Sequence, residues 1–277
     1  MAIPVEKNNH PIYQETRSLI SKRYKTITKA VNKEFRDINN DSDYSFYVGS
    51  YGRGTAIDTS DLDVLVELPD DEYEHFHSLS GNGASRLLQA VKNAIKTPYP
   101  KTEIRADGQV VVVQFTDDMK FEILPAFRNI NYWGNWDGTY IYPDTNMGGN
   151  WLTTNPKAEQ KAMKEKNSYE ESNGLLFDTC KHIRYIHNEY YSSYHLSGIL
   201  IDTFTYTFIN NWHWRRKNET TAPNYSVGTP KNVEGHLLTM YSLYCNPPDL
   251  QAPGSNESVD TEKDWNTLGK VLRKMAN

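Results

Sequence analysis

Cysteine is nearly absent: the 277 residues hold only Cys180 and Cys245. A pair so far apart excludes a disulfide framework and suits a reducing cytoplasm. The eight histidines show no zinc-ligand spacing with them, so no structural zinc is expected. His75 and His77 lie beside acids and read as exposed. No apolar run approaches the roughly 20 residues of a membrane span, and Met1 to Lys7 contain no apolar signal core. The expected compartment is cytoplasmic, with no membrane partner. A basic excess is also missing: 30 Lys and Arg stand against 35 Asp and Glu, a net charge of −5. A general nucleic-acid binder usually carries surplus positive charge, so neither DNA nor RNA is expected as template or activator. No internal repeat is present.

The patterning that is there reads as α+β. Residues 11–38 place Ile12, Leu19, Ile20, Ile27, Val31 and Phe35 at near-helical spacing, which predicts a long amphipathic helix. Strands are expected at Ser45 to Val48, Leu62 to Leu68, Val110 to Phe115 and Phe121 to Phe127, with a helix over 83–96. Pro125 is expected to stop the last of these strands. Residues 129–156, rich in Trp, Tyr, Gly and Asn, read as a long loop held by aromatic packing. Beyond Ala158 the pattern predicts helices over 158–167, 170–190, 195–217, 231–244 and 261–275, with a loop at 247–259. Such a chain can form two lobes, 1–150 and 151–277, with a ligand cleft between them.

The densest chemical signal is Gly49-Ser50-Tyr51-Gly52-Arg53-Gly54, followed by Ser60-Asp61-Leu62-Asp63 and the apolar run Val64-Leu65-Val66. On a strand, Asp61 and Asp63 point to one side with Cα atoms about 6.5 Å apart. Two adjacent carboxylates at roughly 4 Å repel by about 4 kcal/mol at an effective dielectric near 20, which a fold tolerates where cations fill the gap. The glycines allow close backbone approach to a ligand. Ser50 can cap the turn or meet phosphate. Arg53 fits either phosphate contact or a solvated surface.

This Gly-Ser…Asp-x-Asp arrangement resembles the DNA polymerase β-like nucleotidyltransferases, in which a third acid comes from a later strand. Glu122, the lone carboxylate among apolar neighbours, fits that place, whereas Asp117 and Asp118 read as turn residues. Glu122-x-x-Pro125-Ala126, then Thr154-Asn155-Pro156, then Ser193-Tyr194 after a helix carrying Lys181 and Arg184, resemble the bacterial CD-NTases. The resemblance runs from about Tyr47 to Ile201. It implies a mixed-sheet nucleotidyltransferase lobe plus a helical lobe. It implies Asp61, Asp63 and Glu122 as catalytic ligands of two Mg²⁺ ions, with Mn²⁺ as the alternative. It implies nucleotide contacts at Gly49, Ser50, Arg53, Lys181 or Arg184, Ser193 and Tyr194. ATP or other NTPs would be joined into a cyclic di- or oligonucleotide. That diffusible product would reach an effector in antiphage (CBASS) defence, with a monomer sufficient for the chemistry. Two readings compete: transfer of AMP to a drug, protein or RNA end, and a non-catalytic nucleotide sensor. The chain departs from the family in using Glu where Asp is commoner, and it lacks the cysteines of the animal zinc insertion.

Overall fold

The computed structural model describes residues 2–58, 61–217, 219 and 232–277. Thr59, Ser60 of the acidic motif, and Lys231 at the start of the expected 231–244 helix lie outside the described residues. The chain divides into two compact units. One comprises Tyr13–Gly52 and Ser60–Lys157; the other comprises Met1–Ile12, Arg53–Thr59 and Ala158–Asn277.

The first unit opens with α1 (Gln14–Arg36), which buries Ile20, Ile27, Thr28 and Val31 along one face. Asp37 ends it in the left-handed region at φ 50°, its N–H donating to the carbonyl of Asn32. Then come β1 (Ser45–Tyr47), the short α2 (Gly49–Arg53), β2 (Leu62–Glu67), α3 (Asp70–Ser78) and α4 (Gly83–Lys96). α4 buries Leu87, Leu88, Val91, Ala94 and Ile95, spaced as one helical face demands. Its first turn is closed by Asn82, whose side chain accepts from the Ser85 N–H at 2.8 Å. β3 (Glu103–Asp107), β4 (Val110–Gln114), β5 (Lys120–Ile130), β6 (Trp136–Asp144) and β7 (Asn150–Thr154) complete a seven-stranded mixed sheet. Its order is β1-β2-β5-β4-β3, with β6 on β5 and β7 on β6. β2 runs parallel to β5; every other pairing is antiparallel.

Two expectations are corrected here. Pro125 does not stop its strand. β4 pairs with β5 only as far as Ile123, and β6 takes over from Phe127. Pro125 therefore falls where that edge changes partner and needs no donated N–H. Residues 129–156 are not a loop: they contain β6 and β7, paired from Tyr140↔Thr154 to Asp144↔Asn150. The turn between β5 and β6 is built on Asn131, whose side-chain oxygen accepts from the N–H groups of Trp133 and Asn135. Glycines and a register shift between Arg128 and Ile130 break the alternation that would mark these strands in sequence.

The second unit is mostly helical: α5 (Pro156–Lys166), α6 (Leu175–Tyr190), α7 (Gly198–Phe208), α8 (Val233–Ser242) and α9 (Trp265–Ala276). Its core gathers Leu176, Ile183, Leu200, Phe204, Leu237, Leu268 and Leu272. α6 starts later than 170 and α7 ends well before 217. Asn210 sits at φ 51°, and Trp214 turns inward to donate from Nε1 to Asp178 at 2.8 Å. The 247–259 stretch is not wholly loop, since β8 (Leu250–Gln251) pairs with β9 (Ser258–Val259). Both cysteines are free, Cys180 buried and Cys245 exposed. Among the described residues no helix is long and apolar enough to cross a membrane.

The chain's first residues dock on this unit. The Ile3 N–H donates to the Met275 carbonyl at 3.2 Å, and the Asn8 N–H to Asp178 at 3.1 Å. His10 lies 3.0 Å (Nε2 to Nδ1) from His182 and stacks on Tyr185, with ring centroids 4.2 Å apart. Burial, then the neighbouring His182 and Lys181, push the His10 pKa down to about 4. Burial also lowers that of His182. The folded state thus binds these protons more weakly than the unfolded chain, whose histidines titrate near 6.5. The associated stability is present above pH 6.5 and is lost as pH falls towards about 4. Burial raises Asp178 and Glu234, which acts with the opposite sign, so the useful quantity is a difference between proteins. His10→Asn, which tolerates the local φ of 57°, is expected to flatten the fall in melting temperature between pH 6.5 and 4. An unchanged slope in paired melting scans would rule this out.

Candidate active site

Sheet register assembles the acidic groups. In the parallel pairing of β2 with β5, Leu62 stands opposite Phe121 and Asp63 opposite Glu122. Leu62 and Phe121 are buried, so the alternation turns Asp63 and Glu122 to the other face. Asp61, two residues before Asp63, shares their side. Gly49 adjoins this face. It has φ 56°, and a Cβ there would lie 1.8 Å from Asp63 Oδ2. Only a residue without a side chain lets that carboxylate lie against the backbone. The Val48 N–H donates to the Asp63 carbonyl at 2.8 Å and fixes the approach. Ser50 follows in the first turn of α2, half-buried.

A lysine overlooked in the sequence stands among these acids. Lys120 Nζ lies 2.6 Å from Asp61 Oδ2 and 3.0 Å from Glu122 Oε1. Partial burial opposes its charge, but the hydrogen bonds to Asp61 and Glu122 outweigh this and raise its pKa. The visible signal was its position two before Glu122, on the same strand face. Among the described residues no group of three or more His, Cys, Asp or Glu side chains closes on one point as a metal site. Instead, two carboxylates converge on an ammonium, a cation of the protein's own. Hard oxygen donors already gathered around positive charge are the donor set that Mg²⁺ or Mn²⁺ takes, and the residues fit such an ion. Asp117 is occupied elsewhere, paired with Arg23 at 2.9 Å, and Asp118 sits in the turn at φ 66°.

Arg53 and Arg184, expected as nucleotide contacts, are both held in buried ion pairs. Neither is a free cation. In the helical unit Arg53 Nε meets Asp202 Oδ2 at 2.8 Å and its Nη1 meets Glu159 at 2.8 Å. Arg184 Nη1 meets Asp202 Oδ1 at 2.7 Å, while its Nη2 donates to the Gly198 carbonyl at 2.9 Å. Thr55 adds a hydroxyl to Asp202 at 2.9 Å. Burial alone would raise the Asp202 pKa; Arg184 and Arg53 outweigh it and lower it. Removing one member of such a buried set leaves an uncompensated charge, at a cost of about 3–5 kcal/mol. Both guanidiniums thus have buried carboxylate partners within the helical unit. Asp202 was missed, although a lone acid in the run Ile199-Leu200-Ile201-Asp202-Thr203-Phe204 is the same signal that marked Glu122.

The structure therefore brings together Gly49, Asp61, Asp63 and Glu122 in one unit, with Ser50 next in the chain. Lys181, Ser193 and Tyr194 belong to the other. Lys181 is half-buried on α6. Ser193 is exposed in the turn after α6. Tyr194 is 49% exposed, and Lys270 Nζ lies 3.5 Å from the centre of its ring. His187 Nε2 lies 2.8 Å from the Tyr194 carbonyl and holds the turn.

A family model described as the Second Messenger Oligonucleotide or Dinucleotide Synthetase domain matches residues 8–167. No curated protein matches significantly. Among solved structures the chain is similar to the Elizabethkingia meningoseptica CdnE cyclic dinucleotide synthase with GTP and Apcpp. The TM-score is 0.62 at 13% identity, covering 98% of this chain and 93% of that one. It is similar to the Rhodothermus marinus CdnE c-UMP-AMP synthase, with TM-score 0.60 at 13% identity, covering 96% of each chain. The Vibrio cholerae DncV cyclic AMP-GMP synthase gives TM-score 0.58 at 9% identity, covering 95% and 82%. These likenesses show the fold, a polymerase β-like nucleotidyltransferase fold with its mixed sheet and helices. With the family model matching more than half of the chain, the protein belongs to the Second Messenger Oligonucleotide or Dinucleotide Synthetase family of nucleotidyltransferases, the bacterial CD-NTases.

Proposed function

We propose that this chain joins nucleoside triphosphates into a cyclic di- or oligonucleotide. The observation that carries the reading is the acidic face itself. Asp63 and Glu122 stand in register on parallel strands, Asp61 lies beside them, and Gly49 lets Asp63 rest on the backbone. Asp61, Asp63 and Glu122 would hold the divalent ions, Mg²⁺ or Mn²⁺. When bound, such ions acidify an attacking ribose hydroxyl and neutralise the triphosphate.

The chain's own residues hold and orient. Ser50, with the backbone of Gly49 to Gly52, is the proposed phosphate contact. Lys181, Ser193 and Tyr194 are retained as nucleotide contacts; Arg53 and Arg184 are not. The exposed ring of Tyr194 is suited to stack on a base. The similar Elizabethkingia meningoseptica enzyme is seen with GTP and Apcpp, and the Vibrio cholerae enzyme with a linear intermediate, pppA(3′,5′)pG. For this chain we infer the same order of events, a linear intermediate and then ring closure. Its product would diffuse to an effector in antiphage defence, without a nucleic-acid activator.

Incubation with the four NTPs and Mg²⁺ alone, read by mass spectrometry, is expected to give a cyclic product. The same yield is expected with and without added DNA or RNA. Exclusively linear products, or strict dependence on an acceptor or a nucleic acid, would overturn the proposal.

The site assignment is tested separately. Asp61→Asn, Asp63→Asn and Glu122→Gln are each expected to lower product formation by several kcal/mol of transition-state stabilisation while the melting temperature holds. Gly49→Ala, which displaces the Asp63 carboxylate, is expected to cost on the order of 10²-fold in rate. Asp117→Ala is expected to retain activity. A folded Asp63→Asn protein with normal yield, or a dead Asp117→Ala protein, would show that the wrong carboxylates were chosen.

A further inference from the structure

Lys120 is the charged group that neither the motif nor the proposed chemistry uses. It stands two residues before Glu122 on one face of β5, opposite Gln114 of β4. Its ammonium bridges Asp61 and Glu122 at 2.6 and 3.0 Å. Its side chain is 25% exposed, against 51% for Asp61 and 30% for Glu122. The cation is thus the most enclosed member of the group, held by the oxygens that a divalent ion would need. We infer that Lys120 is a built-in counter-ion of the acidic site, which a divalent metal must displace. This rests on the proposed metal-ligand role of Asp61 and Glu122.

An oxygen 2.6 Å from an ammonium nitrogen cannot also bind a metal in the same direction. The two cations compete for Asp61 Oδ2 and Glu122 Oε1. Lysine suits the task because its charge is compact and sits on a flexible four-carbon stem, so Nζ can leave without moving the backbone of β5. While in place it offsets the mutual repulsion of Asp61 and Glu122 and keeps both side chains turned to the shared face. It thereby sets the metal concentration at which the site fills. Once displaced, the ammonium remains within a side-chain length of the site, beside the anionic oxygens of a triphosphate bound there.

The test is Mn²⁺ binding without nucleotide, followed by electron paramagnetic resonance, on wild type, Lys120→Met and Asp61→Asn. Lys120→Met keeps the stem and removes the charge. It is expected to bind Mn²⁺ at least about tenfold tighter, as removal of a like charge about 4 Å away implies. Unchanged or weaker binding by Lys120→Met would overturn the counter-ion role. Asp61→Asn is expected to lose affinity. If Asp61→Asn binds as wild type does, the metal-ligand reading itself fails, a result distinct from failure of the Lys120 inference. A second measurement uses the unmodified protein. Acetylation of Lys120 by N-hydroxysuccinimide acetate, quantified by peptide mass spectrometry, is expected to rise severalfold when Mg²⁺ is added. Labelling that stays level or falls would refute displacement even if Lys120→Met does not fold.

Discussion

The parallel register between β2 and β5 is the constraint on which the acidic site depends. Adjacent strands lie about 4.8 Å apart, so pairing Asp63 with Glu122 forces two carboxylates together whatever their charges prefer. At about 4 Å and an effective dielectric near 20, that costs roughly 4 kcal/mol. The same pairing places Val64 beside Ile123 and Leu65 beside Leu124, with Leu62 beside Phe121. All of these except Leu124 are buried, and each is worth about 1.5–3 kcal/mol. Burial therefore exceeds the repulsion severalfold. The sheet sets the register, and the carboxylates accept it. A one-residue slip would relieve the charges but turn the apolar residues to the wrong face.

Two carboxylates of this chain show opposite uses of the same group. Asp202 is fully buried and saturated, with both oxygens committed to Arg53, Arg184 and Thr55. Asp61 is half exposed and holds a single ammonium. A buried acid closed in by partners is held in place by the fold and has no open face for a ligand. An open acid with an exchangeable partner adds little stability, as exposed pairs generally do, and remains available for binding. The distinction lies in the number and enclosure of partners rather than in the residue type.

Much of the candidate site was legible because its signals are local. Gly49-Ser50, Asp61-x-Asp63 and the isolated Glu122 can be read along the chain, and α4 begins and ends where its pattern says. What was not legible depends on distant partners. Arg53 lies inside the glycine motif, yet the residues that claim it, Glu159 and Asp202, are far along the chain. Arg184 reads like Lys181 along the chain, and the partner that holds it, Asp202, lies on another helix. Pro125 read as a strand stop because no sequence signal shows that the neighbouring strand changes there from β4 to β6. The β6–β7 hairpin is hidden because Gly138 and Gly148-Gly149 interrupt it and the β5–β6 pairing shifts register ahead of it, so the period of two on which strand recognition rests is lost.

The choice of Glu at position 122 acquires a physical reason beside Lys120. Both side chains leave the same face of one strand, two residues apart, and each must reach towards Asp61, which lies just before β2. An aspartate at 122 would be one methylene shorter and would draw its oxygens back towards the strand, away from the ammonium between them. Glutamate supplies that reach and can follow either cation, the lysine nitrogen or an ion nearer Asp63. As a proposed metal ligand it would be the most adjustable of the three, its additional torsion contrasting with Asp63, which is placed by register and by the backbone of Gly49. A rigid and an adjustable carboxylate side by side are what the proposed exchange between an internal and an external cation would require. The rigid acid defines the location, and the longer one follows the charge.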